Sequence, residues 1–246
     1  MKKIFLLLLV MCFSCSSEDS ERITTNPPDK ENPVTHYRLV KVEQYDTDDV
    51  LDETITYNYN ASGELITSTE VDDGTTYVST LNYSGNKVIS ISRSFINDLT
   101  YTYTGDLVTT RSVLSDGILF TNEYTYNALN QLTNEKQFND GVLCCSTTYS
   151  YNSQQNMFNA EYTNNNSSLD GDTYYTHDTM KNPFKDFLPP SLAKISDIGK
   201  SENNILKAGS NEPFVYEYNE KGYPTKKTTH VADDLYIVDK YYYAEL

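Results

Sequence analysis

The sequence predicts an all-β protein, an antiparallel up-and-down meander that forms a barrel or curled β-roll and carries one short helix-containing insertion. Three observations support this prediction: a repeated Tyr-x-Tyr unit, regularly spaced turn residues, and strand-length segments between them that alternate apolar and polar residues. The turn residues recur about every eleven positions, a spacing typical of β-sandwiches and barrels. Connections this short make neighbouring strands antiparallel and sequential.

The repeated unit first occupies residues 57–65, which read Tyr-Asn-Tyr-Asn-Ala-Ser-Gly-Glu-Leu. Degenerate copies begin at Leu81, Tyr101, Tyr124 and Tyr216. Because side chains two positions apart on a strand share a face, both tyrosines of a unit lie on one side. We expect that side to form the core and the Thr, Ser and Asn positions to face water. The Asn, Ser and Gly after each pair tolerate positive φ and bond their own backbone, which predicts a turn.

A second set of turns closes each unit. They are Asp73-Gly74, Asp116-Gly117, Asp140-Gly141 and, where Gly is missing, Asn97-Asp98. Asp-Gly between two alternating segments is a strong hairpin signal. The strands between turns are then about eight residues, or about 26 Å, long. A last strand at residues 241–243 would close a barrel by pairing with an early strand.

Two resemblances follow from these residues. The Tyr-x-Tyr-Asn-x-x-Gly-x-Leu unit resembles the Tyr-Asp repeats of Rhs-type shell proteins, with Asn in place of the usual Asp. Residues 36–246 resemble more closely a family of Gram-negative envelope lipoproteins of unknown function whose domain is described as porin-like. Lys181-Asn182-Pro183-Phe184 and residues 216–226 support this second resemblance. It implies a porin-like β fold in the cell envelope and brings no catalytic residues.

The N-terminal residues predict export and lipid attachment. Residues 1–14 contain two lysines, an apolar segment and a small residue, the order found in a secretory signal peptide. Cys15 then occupies the position of the lipidated first residue of a lipoprotein, with secretion and soluble release as the alternative. Residues 15–33 are polar and Pro-rich, which predicts a flexible tether. The folded domain is predicted to cover residues 34–246.

Residues 178–211 break the repeat and form the predicted insertion. Ser191 is expected to cap a short helix with apolar residues at Leu192, Ile195 and Ile198. The helix is apolar on one side, which favours a plug that covers the sheet. A ligand site is the alternative, because long insertions in compact domains are often functional. The candidate ligand-binding residues in and beside the insertion are His177, Lys181, Phe184 and Lys185.

Composition excludes several kinds of function. The formal net charge is −16, and removal of the two signal-peptide lysines makes the mature chain more acidic still, so nucleic acid is not an expected partner. The three histidines lack metal-ligand spacing, and no nucleophile turn or phosphate-binding loop is present. Carboxylates are concentrated in turns, where they serve local structure. We therefore predict no catalytic residue, no metal and no cofactor.

The adjacent cysteines Cys144 and Cys145 are expected to point to opposite faces of a strand, one buried and one partly covered. A disulfide between neighbouring residues is strained. The two-residue spacer of common redox motifs is also missing. The sequence thus favours two structural thiols over a redox pair.

The leading functional hypothesis is a monomeric, non-catalytic scaffold that a lipid anchors in the outer membrane, with a glycan or another envelope protein as partner. The acidic residues after Cys15 resemble a surface-export tag, and the periplasmic and surface leaflets both stay open. An integral outer-membrane β-barrel is one alternative, but it needs an apolar outer face, and the mean hydropathy is −0.57. A polysaccharide-processing enzyme is the other, and it needs two carboxyl groups in one groove.

Overall fold

The structure, a computed structural model, describes residues 37–165, 170–232 and 235–246. The predicted signal peptide, Cys15 and the tether lie outside the described residues. Within these ranges, antiparallel strands form a single 16-stranded sheet, so the predicted fold class is confirmed. The elements are β1 (Tyr37–Tyr45), β2 (Leu51–Tyr59), β3 (Leu65–Asp72), β4 (Thr75–Ser84), β5 (Lys87–Arg93), β6 (Leu99–Thr104), β7 (Leu107–Ser115), β8 (Ile118–Tyr126), β9 (Leu132–Asn139), β10 (Val142–Tyr151), β11 (Met157–Asn164), β12 (Gly171–Lys181), α1 (Pro183–Phe187), α2 (Pro190–Ala193), β13 (Asn203–Ala208), β14 (Val215–Tyr218), β15 (Pro224–Ala232) and β16 (Leu235–Glu245).

The strands form an up-and-down near-barrel whose seam lies between β13 and β14. The last strand pairs with the first, with Tyr241 opposite Val42, but the sheet then continues through β15 to β14. Short contacts join the two edge strands. The Phe214 N–H donates to the Leu206 carbonyl at 2.7 Å, and the Tyr216 hydroxyl donates to the Ile205 carbonyl at 3.1 Å.

Asparagine side chains build the turns that follow the Tyr-x-Tyr pairs. The Asn60 Oδ1 accepts the backbone N–H groups of Ser62 and Glu64 at 3.0 and 2.9 Å. The same pair of bonds recurs at Asn127, Asn152 and Asn219. In each five-residue loop, the asparagine side-chain oxygen thus accepts two backbone N–H groups of the loop, which forms the turn that the sequence predicts.

The second set of turns matches the prediction except at one position. Both residues of each Asp-Gly pair have positive φ, for example 42° at Asp73 and 73° at Gly74, which fits the tight hairpin. At the predicted Asn97 turn, the residue with positive φ is instead Phe95, at 67°. The reason is a longer loop in which the Asp98 carboxylate accepts the Arg93 N–H at 3.1 Å.

The second tyrosine of most repeats lies on the inner face, and its hydroxyl is bound to the backbone. In the first four repeats it donates to a carbonyl of the preceding strand, as Tyr83 does to Leu65 at 2.7 Å and Tyr126 does to Val108 at 2.8 Å, whereas Tyr218 of the last repeat donates to the Asp178 carboxylate. The side chains of the acceptors Leu65 and Val108 are among the most buried in the core. Burial raises the pKa of Tyr83 to about 12. The prediction that tyrosines form the core is confirmed for these rings.

The inner face changes character along the barrel. Near the turns built by asparagine it is apolar, whereas farther along it carries charged groups. There the Asp239 carboxylate accepts Lys227 Nζ at 2.7 Å and Gln44 Nε2 at 3.1 Å. Burial, with the nearby carboxylates of Glu70, Asp72 and Asp239, raises the pKa of Glu53. The core is thus concentrated at one end.

Exposed apolar side chains lie mainly beside the hairpins at the opposite end. They include Val50, Phe95, Leu114, Val142 and Leu235. Phe95 is 79% exposed. Leu114 and Val142 flank Asp-Gly turns, and Val50 follows the acidic residues Asp48 and Asp49, so this end combines apolar surface with negative charge.

The adjacent cysteines do not alternate across the strand as the sequence predicts. The β9–β10 ladder shifts register between Leu143 and Cys145. Such a bulge interrupts the alternation of side chains, and the Cys144 and Cys145 sulfur atoms lie 3.0 Å apart. Cys145 is buried and Cys144 is partly exposed, as expected.

Glu43 on β1 provides a pH-dependent test of the polar contacts that surround its carboxylate. The Lys41 Nζ donates to the Glu43 carboxylate at 2.7 Å, and the Tyr45 and Tyr242 hydroxyls donate to its other oxygen. These bonds, that from Lys41 first, lower the pKa of Glu43 to about 2. A depressed folded-state pKa gives a stabilisation that is complete above the unfolded value of about 4.3 and is lost as pH falls toward about 2.

We therefore expect Lys41→Met to raise the pKa of Glu43 toward its unfolded value in a carboxyl-carbon NMR titration. Lys136→Met is the matched control, because Lys136 is exposed on another strand. A wild-type Glu43 that titrates near its unfolded value of about 4.3 would contradict this arrangement.

Candidate binding cleft beside the plug

The insertion contains two short helices rather than the single predicted one. Asn182 caps α1, and its Oδ1 accepts the Phe184 N–H at 3.0 Å. Ser191 does not cap a helix: α2 begins at Pro190, and Pro189 precedes it without a side-chain cap. Proline suits a first helical position because its missing N–H would lack a partner there anyway. Asn182-Pro183 thus determines where α1 begins, and Pro189-Pro190 determines where α2 begins.

Asn182 and Gly199 hold the insertion in a compact form. Asn182 is 5% exposed, and its Nδ2 donates to the carbonyls of Ile198 at 2.6 Å and Ser201 at 3.1 Å. A Cβ at Gly199 would approach the Ala193 carbonyl oxygen to 2.8 Å, so only glycine fits without movement of the backbone. We call residues 182–202 the plug.

The plug covers the apolar end of the inner face. The Phe187 ring centroid lies 4.7 Å from that of Tyr57 and 5.2 Å from that of Phe184. Leu192 of α2 joins the same buried cluster. The Ser201 hydroxyl accepts the Met157 N–H at 3.1 Å. Leu192 and Ile195 therefore pack on the core, as the plug interpretation expects, whereas Ile198, which the sequence placed on the same apolar face, is 48% exposed.

A cleft of about 500 Å³ lies between the plug and the neighbouring turns of the sheet. The aromatic residues that line it are Tyr83, Tyr151 and Phe187, and its amide groups include Asn86 and Gln131. Basic and acidic side chains also line it. They are Arg38, Lys185, Lys194, Lys200, Glu64, Asp186 and Glu202.

Most of the charged groups in the cleft are already paired. Lys185 forms an ion pair with Glu202, and burial lowers the pKa of Lys185. Lys200 lies 2.7 Å from the Asp197 carboxylate and 4.0 Å from the Tyr149 ring centroid.

Two cations are exceptions. Within the described ranges, neither Arg38 nor Lys194 forms an ion pair. Among the described residues, the Arg38 guanidinium donates to two backbone carbonyls, Gly63 at 3.2 Å and Tyr37 at 3.4 Å. Because no carboxylate in these ranges pairs with them, Arg38 and Lys194 give the cleft a local excess of positive charge.

The carboxylates of the cleft accept hydrogen bonds or form ion pairs. The Asp186 Oδ2 accepts the Tyr223 hydroxyl at 2.7 Å, and the Glu64 Oε2 accepts the Asn60 Nδ2 at 2.7 Å. Glu202 is paired with Lys185. The cleft therefore holds its acids in fixed polar contacts.

The structure does not bring the four candidate ligand residues together. Lys185 lines the cleft, while Phe184 packs on Phe187 and lines a second cavity of about 270 Å³. The Lys181 Nζ lies 4.8 Å from the Tyr223 ring centroid. His177 lies on β12, where burial lowers its pKa and its Nε2 has no hydrogen-bond partner among the described residues. Lys181 and His177 line neither cavity.

The other half of the cleft consists of residues that the sequence pattern did not predict as site residues. Arg38, Gln131 and Lys194 come from β1, the β8–β9 turn and the end of α2. Nothing in their spacing indicates a shared site. The asparagine turns could have indicated this site. An up-and-down meander places alternate turns at the same end of the barrel, and the insertion lies at that end.

Other kinds of site are not found in the described part of the chain. No group of three or more His, Cys, Asp or Glu side chains there could hold a metal ion. None of the helices in these ranges has both the length and the apolar character to cross a bilayer.

Comparison with known proteins supports the fold. No protein-family model and no curated protein matches the sequence. A crystal structure of a porin-like protein from Bacteroides uniformis matches with a TM-score of 0.60 and 16% identity, covering 84% of this chain and 98% of the other. A porin-like protein from Bacteroides vulgatus matches with a TM-score of 0.53 and 13% identity, covering 85% and 100%. At these identities the likeness shows the fold alone.

Proposed function

We propose that this protein is a non-catalytic, lipid-anchored binding protein of the outer membrane and that the cleft beside the plug binds an acidic oligosaccharide. The cleft is the observation that supports this proposal. Its volume of about 500 Å³ lies in the range of small-molecule sites. Tyr83 and Tyr151 line the cleft with aromatic surface suited to sugars, and Asn86 and Gln131 can bond sugar hydroxyls.

The charge of the cleft favours an acidic ligand over a neutral one. Arg38 and Lys194 carry positive charges without an ion-pair partner among the described residues. A sugar carboxylate or sulfate would supply that partner and form charge-assisted hydrogen bonds, which are stronger than neutral ones.

The fixed carboxylates favour binding over catalysis. A glycosidase needs one carboxylic acid and one carboxylate, free to exchange protons, on either side of the scissile bond. In this cleft Asp186, Glu64 and Glu202 are each held by a donor. These contacts support a binding site, and we retain a polysaccharide-processing enzyme only as the alternative.

Binding to the cleft is testable by calorimetry with a galacturonic acid hexamer as the acidic probe and maltohexaose as the neutral one. We expect Lys194→Ala to weaken binding of the acidic hexamer about tenfold, because one charge-assisted hydrogen bond is lost. Lys136→Ala is the matched control, since Lys136 is an exposed lysine outside the cleft, and its affinity should equal that of the wild type.

Equal affinity for the acidic and neutral hexamers would contradict the acidic ligand class. Failure of the folded wild-type protein to bind either hexamer would contradict the glycan proposal and leave an envelope protein as the partner. Hydrolysis of either hexamer would favour the enzyme alternative.

The outer face of the sheet supports a barrel in water rather than in lipid. Cross-strand pairs on the side opposite the tyrosines carry hydroxyl groups. They are Thr56 with Thr69, Thr67 with Thr80, Thr102 with Thr110 and Ser112 with Thr121. The Thr102 and Thr110 hydroxyls also bond each other at 2.7 Å. A membrane-spanning barrel requires an apolar outer band, so these pairs argue against the integral alternative.

Lipid anchoring is testable through Cys15. We expect Cys15→Ala to move the protein from the membrane pellet to the soluble fraction after cell fractionation, because no acyl chains would then hold it to the bilayer. Cys144→Ala, far from the export signal, is the matched control and should stay in the pellet. A Cys15→Ala protein that still pellets would instead support an integral barrel.

A further inference from the structure

The bulge in β10 places two thiols side by side. The Cys144 and Cys145 sulfur atoms are 3.0 Å apart, compared with about 2.05 Å in a disulfide bond. The Cys145 thiol also donates to the Gln137 Oε1 at 3.2 Å. In a regular strand the two side chains would point to opposite faces, so this proximity depends on the bulge between Leu143 and Cys145.

We propose that Cys144 and Cys145 are a redox modification site that closes reversibly to a disulfide between adjacent residues when it meets an oxidised low-molecular-weight thiol. This site is independent of the cleft and of its ligand. Its substrate class is a small disulfide such as oxidised glutathione.

Disulfide formation takes two exchange steps, and the difference in exposure between the two cysteines determines which thiol reacts first. Cys144 is partly exposed, whereas Cys145 is 4% exposed. The Cys144 thiolate attacks the small disulfide, forms a mixed disulfide and releases one small thiol. The Cys145 thiolate then attacks the Cys144 sulfur and releases the second small thiol. The protein loses two protons and two electrons, which reduce the small disulfide to two thiols.

Geometry makes the product easy to reduce. The Cα atoms of adjacent residues are about 3.8 Å apart, which is shorter than the usual spacing of about 4.4 to 6.8 Å in disulfides. Strained disulfides have higher reduction potentials and are the labile ones. The pair is therefore suited to cycling between states rather than to permanent cross-linking.

Peptide mass mapping of the full chain tests this proposal. The folded protein is incubated with oxidised glutathione, quenched with acid, unfolded, alkylated and cleaved with trypsin. Residues 137–181 form one tryptic peptide that holds both cysteines and no other. We expect this peptide to be unalkylated and lighter by two hydrogen atoms, and to carry two alkyl groups after mild treatment with dithiothreitol.

The single variants separate the two steps. Cys145→Ser should accumulate a glutathione adduct on Cys144, because no thiol is left to displace it. Cys144→Ser should keep one alkylatable cysteine and gain no adduct, because Cys145 is buried. A wild-type peptide that carries two alkyl groups after oxidation, or that keeps a glutathione adduct like Cys145→Ser, would overturn the proposal.

Discussion

Phe187→Ala is expected to lower the free energy of unfolding by about 4 kcal/mol. Phe187 is 6% exposed, and its ring contacts those of Tyr57 and Phe184. Its removal would leave a cavity where the plug meets the inner face of the sheet. Urea denaturation followed by tyrosine fluorescence measures the change.

Phe95→Ala is the matched control for this experiment. Phe95 is 79% exposed on the β5–β6 loop, so its loss should change the free energy of unfolding by less than about 0.5 kcal/mol. Equal destabilisation by the two substitutions would show that the plug is not part of the core.

Tyr126→Ala should lower the free energy of unfolding by about 3 kcal/mol. The ring packs against the buried cluster, and its hydroxyl donates to the Val108 carbonyl at 2.8 Å. Both the packing and the hydrogen bond are lost on truncation to alanine. Tyr59→Ala removes the equivalent ring and hydroxyl bond of the first repeat, to the Leu39 carbonyl, and should cost a similar amount.

Two further variants separate the contribution of the Tyr126 hydroxyl from that of its ring and the effect of a buried tyrosine from that of an exposed one. Tyr126→Phe keeps the ring and removes only the hydroxyl, so about 1 kcal/mol should be lost. Tyr174→Ala truncates a tyrosine that is 59% exposed and should have a much smaller effect than Tyr126→Ala. Unchanged urea midpoints for Tyr59→Ala and Tyr126→Ala would disprove the assignment of the repeated tyrosines to the core.

Local signals account for the features that the sequence predicted. A Tyr-x-Tyr pair followed by Asn60 or Asn127 fixes a strand, its inner face and the next turn within a few residues. The Asp-Gly pairs likewise fix the turns at the other end of the barrel. Because these signals are short-range and repeated, the order and length of the strands followed from them.

Features that depend on contacts between distant residues were not predictable in this way. The bulge at Cys145 depends on how β10 pairs with β9, and the cleft joins Arg38, Gln131 and Lys194 from separate parts of the chain. The start of α1 is different, because Asn182-Pro183 is a readable helix signal. The apolar spacing around Ser191 favoured a later start, yet the Pro189-Pro190 pair limits the helices to short segments.

A titration of the unlipidated protein with a galacturonic acid trimer, followed by backbone amide NMR, tests whether the cleft beside the plug binds an acidic oligosaccharide. Binding in the cleft should shift the signals of Gly63, Gln131 and Lys194, which line it, and leave those of Gly74 and Gly117, at the opposite end, unchanged. Shifts confined to the opposite end, or no shift at saturating trimer, would contradict a binding site beside the plug.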